Sequence, residues 1–157
     1  MAFVHNGGTM RLTNFSDYAL RLLIFAATKP DELVTIGEVS KAYGISRNHL
    51  MKITNTLAAA GHIETTRGSG GGLRLARPAA QINLGEVLRL TEADTTLVEC
   101  FDSATNTCVI TRACGLKHVL HEALEAFYQR LDQVTLADIA NRPGDLLRIF
   151  DKQTHSS

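Results

Sequence analysis

Three cysteines stand close together in ECFDSATNTCVITRACGLKH, residues 99–118, and they are the only ones in the chain: Cys100, Cys108 and Cys114, spaced C-x7-C-x5-C. An odd number cannot pair off into disulfides, and three is one short of a closed four-ligand metal site. Structural zinc sites are built on C-x2-C-type knuckles, which this spacing is not. A nucleophilic cysteine needs one thiol beside a base, and three in one loop overspecify that task. An iron–sulfur cluster takes thiolate ligands and accommodates three, with a fourth drawn from elsewhere. A thiol redox switch and plain buried cysteines complete the options. Cys114 directly precedes a helical stretch, whose positive end, with Arg112 and Lys117 near, suits an anionic ligand.

The chain that must position these thiols has 157 residues, 45% of them hydrophobic, enough to build a true core. No apolar run approaches the ~18 residues of a membrane span. The opening MAFVHNGGT lacks the charged and apolar regions of a secretory signal, so residues 1–9 read as a leader or cloning remnant. Clustered thiols without an export signal point to a reducing cytoplasm and to metal or redox chemistry. Net charge is zero, but its distribution is uneven. Residues 41–77 carry Lys41, Arg47, Lys52, Arg67, Arg74 and Arg77 against Glu64 alone, whereas residues 86–157 carry 7 basic and 11 acidic side chains. A basic block in a neutral chain marks a surface that meets phosphates, or else an ordinary solvated face.

Residues 13–28 read as a helix, capped by Thr13 or Asn14 and stopped by Lys29-Pro30, with Leu20, Leu23, Ile24 and Ala27 on its buried side. Thr35 caps a short helix, IGEVSKAY, which Gly44 breaks. Ser46 caps a second, RNHLMKITNTLAAA, ending at Gly61. Two short helices joined by a glycine-containing turn form a helix-turn-helix. On the second helix Leu50, Ile53 and Leu57 share one side, and Asn48, Lys52 and Asn55 share the opposite one. Amide and cationic side chains on an outward face suit the edges of bases and the phosphates of a major groove.

HIETT then alternates as a strand, RGSGGG turns, and LRLA returns. A hairpin directly after a recognition helix is the order of a winged helix. Arg67 and Arg74 flank the wing's glycines, where Gly70 and Gly71 let the backbone approach DNA. A nucleotide-binding loop is the weaker reading, because no GK[ST] is present and Pro78 follows soon after. The expected DNA-contacting set is Ser46, Arg47, Asn48, His49, Lys52, Asn55, Arg67, Gly70, Gly71 and Arg74. Asn83 caps a short helix over 83–92, and the thiol loop follows.

From Gly115 to about Val134 the pattern is a long helix with an apolar stripe: Leu116, Leu120, Ala123, Leu124, Phe127, Leu131 and Val134. Such a helix has too little of its own chain to pack on, which predicts pairing with a second copy and a palindromic operator. TLADIANRPGDLLRIF adds a short capping helix before a polar tail, DKQTHSS, expected to fray. The expected fold class is mainly α with a small β-hairpin wing, a winged helix-turn-helix plus a long dimerisation helix. The expected organisation is a DNA-binding domain over 10–80, a linker helix and thiol loop over 81–114, a dimerisation helix over 115–135, and a C-terminal helix and tail over 136–157.

MRLTNFSDYALRLLIF, VSKAYGISRNHLMKI, RGSGGGLRLARP, the LVEC…C-x5-C-GLK loop and FYQRLDQVTLADI together resemble one family over roughly residues 10–150. It is the winged-helix iron–sulfur transcriptional repressor family, the IscR/RirA/NsrR group, and within it the nitric-oxide-sensing branch. The resemblance implies a homodimer that binds double-stranded operator DNA when each subunit carries an iron–sulfur cluster, [4Fe–4S] favoured over [2Fe–2S]. It implies Cys100, Cys108 and Cys114 as ligands, and as the fourth Asp17 from the partner subunit. It also implies release of DNA when nitric oxide attacks the cluster. In two respects this chain departs from the pattern: FDSATNT makes the first cysteine gap long and flexible, and His118 does not match the spacing of a histidine-ligated relative. His118 therefore reads as a surface or interface residue, and His49 as a DNA contact. An iron- or cluster-status regulator of the same fold is the first alternative. A cluster-carrying redox protein is the second. Nothing in the chain forms a catalytic dyad, so an enzyme is not expected.

Overall fold

Local capping sets the helices where the sequence places them. The computed structural model describes residues 11–93 and 96–155; the leader over 1–9 and the last two tail residues lie outside the described residues. Helix α1 spans Asn14–Ala27, its first turn closed by the Thr13 side chain, which accepts from the Ser16 N–H. Helix α2, Ile36–Tyr43, starts in a capping box in which Thr35 and Glu38 satisfy each other's backbone donors. It stops at Gly44, whose φ of 68° suits a residue without a Cβ. Ser46 caps α3, Arg47–Ala59, and Asn83 caps α4, Leu84–Thr91.

Between α3 and α4 lies the wing, antiparallel strands β1 (Ile63–Thr66) and β2 (Gly72–Leu75), with Glu64 opposite Arg74. Val34, ahead of α2, extends this ladder by exchanging two backbone hydrogen bonds of 2.8 Å with Leu73. The expected fold class, mainly α with a hairpin wing on a helix-turn-helix, is the one observed.

The core draws Leu22 and Leu23 from α1, Val39 from α2, Leu50, Ile53 and Leu57 from α3, Leu73 from the wing and Val87 from α4, all fully buried. It also draws from the far end of the chain. Helix α5 spans Gly115–Asp132, α6 Leu136–Ile139 and α7 Pro143–His155. Leu136 and Phe150 are core residues. Phe150 packs 4.8 Å from the Phe25 ring and 5.2 Å from Tyr43, which brings α7 against α1 and α2. The tail reading is corrected here: residues 151–155 are not frayed but continue α7. The aromatic anchor at Phe150 holds the helix in register beyond the point where polar composition suggests an end.

Helix α5 is different in kind. None of its residues is buried. Of the stripe read from the sequence, Leu116 and Phe127 are exposed by 63% and 44%, while Leu120, Leu124, Leu131 and Val134 are half-buried; Val119, outside the stripe, is 60% exposed. The helix is held at its C-terminal end by polar contacts with α4. Arg89 pairs with both carboxylate oxygens of Asp132 at 2.6 and 2.8 Å, and its guanidinium stacks 4.6 Å from the Tyr128 ring. Asn83 donates to the Asp132 carbonyl at 2.6 Å, and the Leu84 N–H donates to Val134 at 3.0 Å. Gly85 makes this approach possible, because a Cβ there would collide with the Asp132 carboxylate.

The aromatic anchor gives a direct test. Phe150→Ala is expected to destabilise the protein by about 3–5 kcal/mol, the usual cost of emptying a buried aromatic site. Chemical denaturation followed by circular dichroism should show the midpoint falling in one transition. A separate early loss of α7, with the rest unchanged, would mean that α7 is an appendage and not part of the core.

Candidate cofactor loop and nucleic-acid interface

The thiol loop is ordered by its own polar residues. A short 3-10 turn, Glu99–Phe101, carries Cys100 and lays Phe101 edge-on against His121 of α5, ring centroids 5.9 Å apart. Glu99 then accepts from the Thr107 N–H and hydroxyl at 3.2 and 3.0 Å, which folds 102–107 back onto the turn. Asp102 accepts from the Ala104 N–H and the Thr105 hydroxyl, and those bonds hold its carboxyl below the usual carboxylate range. Asn106 accepts from the Cys108 N–H at 3.0 Å, and the Thr111 hydroxyl donates back to the Cys108 carbonyl at 2.8 Å. The gap expected to be flexible is therefore a chain of turns, because Asp, Asn and Thr bond to nearby backbone.

Cys100 and Cys108 line one cavity of about 490 Å³, with Ser103, Asn106, Val109, Thr111, Arg112 and Lys117 around it. Cys114 does not line it; it occupies the position just before α5. All three cysteines are free thiols of intermediate burial. Among the described residues, no three His, Cys, Asp or Glu side chains stand close enough to hold a metal ion. The donor chemistry fits an iron–sulfur group: two thiols and two cations share one cavity, and a thiolate-ligated cluster is anionic.

Asp17 sits in the first turn of α1 and is already engaged. Its carboxylate takes a two-point pair from Arg21, at 2.8 and 3.1 Å, one helical turn on. That guanidinium lies between the rings of Tyr18 and Tyr43, 5.9 and 5.8 Å from their centroids. Asp17 does not join two of the thiols within one chain. Arg21 was not among the residues singled out, although its i,i+4 spacing from Asp17 is a readable signal.

The ten residues expected at DNA fall on two neighbouring elements. Asn48, His49, Lys52 and Asn55 are exposed on α3. Ser46 is spent as the helix cap, its hydroxyl accepting from His49 at 3.3 Å. Arg47 extends over Gly37 at the start of α2, so close that a methyl there would lie 3.3 Å from its Nη2. His49 faces Tyr18, ring centroids 6.1 Å apart. On the wing Arg67 is exposed, and Gly70 has a φ of 76°. Gly71 is packed so tightly that a Cβ would strike the Thr66 carbonyl.

Two arginines of the basic block carry partners. Arg74 pairs across the hairpin with Glu64 at 3.0 Å. Arg77 turns away from the wing tip, donating to Glu86 on α4 at 3.1 Å and meeting His62 Nδ1 at 3.0 Å. Burial, the largest influence on His62, keeps its pKa below the ordinary value. These pairings lie beyond sequence patterns, since Arg77 and Glu86 are joined only by the fold.

Comparison with known proteins gives the geometry a family. The model of the Rrf2 family, described as "Iron-dependent Transcriptional regulator", matches residues 12–142. The HTH-type transcriptional regulator NsrR of Bacillus subtilis is 50% identical over 142 residues, 90% of this chain and 97% of that protein. The NsrR of Bacillus licheniformis is 53% identical over 131 residues, 83% of this chain and 92% of that one. Among solved structures, Staphylococcus aureus CymR superposes with a TM-score of 0.65 at 26% identity, covering 82% of this chain and 96% of its own. T. potens IscR gives 0.66 at 22% identity, covering 84% and 87%, a likeness of fold. With a hairpin wing beside an exposed recognition helix and a three-cysteine loop ahead of an uncovered α5, the chain belongs to the Rrf2 family of iron-dependent transcriptional regulators.

Proposed function

We propose that this chain is a nitric-oxide-responsive repressor, active in the cytoplasm as a homodimer that carries an iron–sulfur cluster in each subunit and binds palindromic operator DNA. Its similarity to regulators named NsrR supports the signal. One observation carries the mechanism. Two thiols and two cations share a cavity at the N-terminal end of α5, an 18-residue helix with no buried residue of its own. A loop so placed can bear on how two copies sit together.

Cys100, Cys108 and Cys114 would hold the group, with the partner subunit's Asp17 as fourth ligand. Such a group, [4Fe–4S] in preference to [2Fe–2S], would supply iron that reacts with nitric oxide. The protein's own part is positional. Both Asp17 oxygens are on Arg21 in the single chain, so ligation by either one would loosen that two-point pair. Loss of the ligand set frees the 99–114 loop from the partner's α1 and lets the two α5 helices shift. Each α5 is pinned to α4 through Arg89 and Asp132, so the spacing of the two recognition helices changes with it. A shift in preference of a few kcal/mol is enough to move most of the population. A reading in which iron supply is the signal has one specific support, the family's description as iron-dependent.

Protein purified without oxygen should be coloured, with thiolate-to-iron absorption. Titration with nitric oxide should bleach it and release a palindromic operator in parallel. A colourless anaerobic protein, or bleaching that leaves DNA affinity unchanged, would sink the proposal. Release by iron depletion but not by nitric oxide would favour the iron-responsive reading. Asp17→Ala should leave a folded dimer whose cluster is lost faster in air, and an unchanged spectrum and lifetime would remove Asp17 from the ligand set. Lys52→Ala and Arg67→Ala should each weaken operator binding with the cluster intact. Where the lost contact is to phosphate, the log–log salt slope should fall by about 1.

A further inference from the structure

Met51 is a large apolar side chain on the recognition helix, yet it is 52% exposed. Its neighbours Leu50 and Ile53 are fully buried, so the core is complete without it. The exposed apolar residues of α5 lie on another element and are taken up by the dimer proposed above. Met51 is not. Its position on α3 is informative, because Asn48, Met51 and Asn55 stand at i, i+3 and i+7 and form one ridge along the helix. The two amides bracket the thioether. If they meet base edges, the side chain between them enters the same groove.

The chemistry of that groove gives Met51 a partner. An asparagine amide pairs with the N6 and N7 edge of adenine, and the thymine of the same pair presents its 5-methyl group in the major groove. An apolar side chain beside a methyl removes both from water, and a thioether on an unbranched chain adapts its path to reach one. Resting on the DNA-binding reading above, we infer that Met51 is a specificity-determining residue that packs on the 5-methyl of a thymine in the operator half-site, between positions read by Asn48 and Asn55. The ridge then favours a half-site that presents A·T pairs to the middle of α3.

Deoxyuridine removes only that methyl group, and so provides the test. The probe is the duplex that the full-length, anaerobically loaded protein selects from a randomised library. Each thymine of one half-site is replaced in turn by deoxyuridine. At one or two positions wild-type binding should weaken about fourfold, the worth of one buried methyl. Met51→Ala should bind the thymine duplex about fourfold more weakly and no longer distinguish thymine from deoxyuridine there. Lys52→Ala, weaker overall, should keep the distinction. Met51→Leu should retain it as well, and thermal melting should place all three variants with the wild type. The inference is overturned if no position discriminates, or if Met51→Ala keeps the full difference everywhere, while the wild type binds its selected duplex. Failure to select any duplex would overturn the DNA-binding reading itself, and this inference with it.

Discussion

Helix α5 has no fully buried residue, so its place leans on one polar junction at its C-terminal end. Arg89 and Asp132 meet in a two-point ion pair, with Tyr128 under the guanidinium and Gly85 leaving room for the carboxylate. Solvent-exposed ion pairs contribute little on their own. This one is joined by the Asn83 amide and by backbone bonds at Leu84 and Leu136, which makes the junction a network. Less than one turn of α4 then separates α5 from the wing root, because Glu86, three residues before Arg89, takes the Arg77 guanidinium that also meets His62. A tilt of α5 would therefore bear on the winged half through α4, and also through α6, whose Leu136 lies in the core.

The arrangement divides labour between apolar and polar contacts. The winged half is a sealed core in which α1, α2, α3, the wing and α7 bury one another. The cysteine-bearing part, from the 99–101 turn to the middle of α5, is built of turns, side-chain caps and half-buried groups. A sealed core resists change, because removing a contact leaves a cavity. A loop held by hydrogen bonds to exposed groups can exchange them for water at small cost. A DNA-reading surface needs the first property, and the proposed role of the cysteine loop needs the second.

Much of the fold was legible because the determinants are local. Thr35 with Glu38, Ser46, Asn83 and Gly44 mark helix ends within four residues of themselves, and the 3.6-residue stripe of α5 announces itself at every turn. What was not legible lies across the chain. Nothing near Arg89 points to Asp132, 43 residues away, and nothing near Phe150 points to Phe25. Charge counting treated Arg74 and Arg77 as part of a DNA-facing block, whereas each has an acidic partner chosen by the fold. The thiol spacing named a chemistry, but the path of the gap depends on Glu99, Asp102 and Asn106 acting on backbone in three dimensions. Asp17 could be placed on its helix from the sequence; its pairing with Arg21, one turn on, is the part the structure adds.

Phe150 carries one more consequence, for the order in which the protein comes into being. Its ring fills the space between Phe25 and Tyr43, near the two ends of a 157-residue chain. Synthesis runs from the N-terminus, so the helix-turn-helix emerges from the ribosome with that space empty. The cysteine loop and α5 emerge next, and only the final helix closes the core. The aromatic core behind the helix-turn-helix therefore closes only when α7 arrives, so a chain stopped short of Phe150 carries every residue of α3 and the wing without the packing that backs α1 and α2.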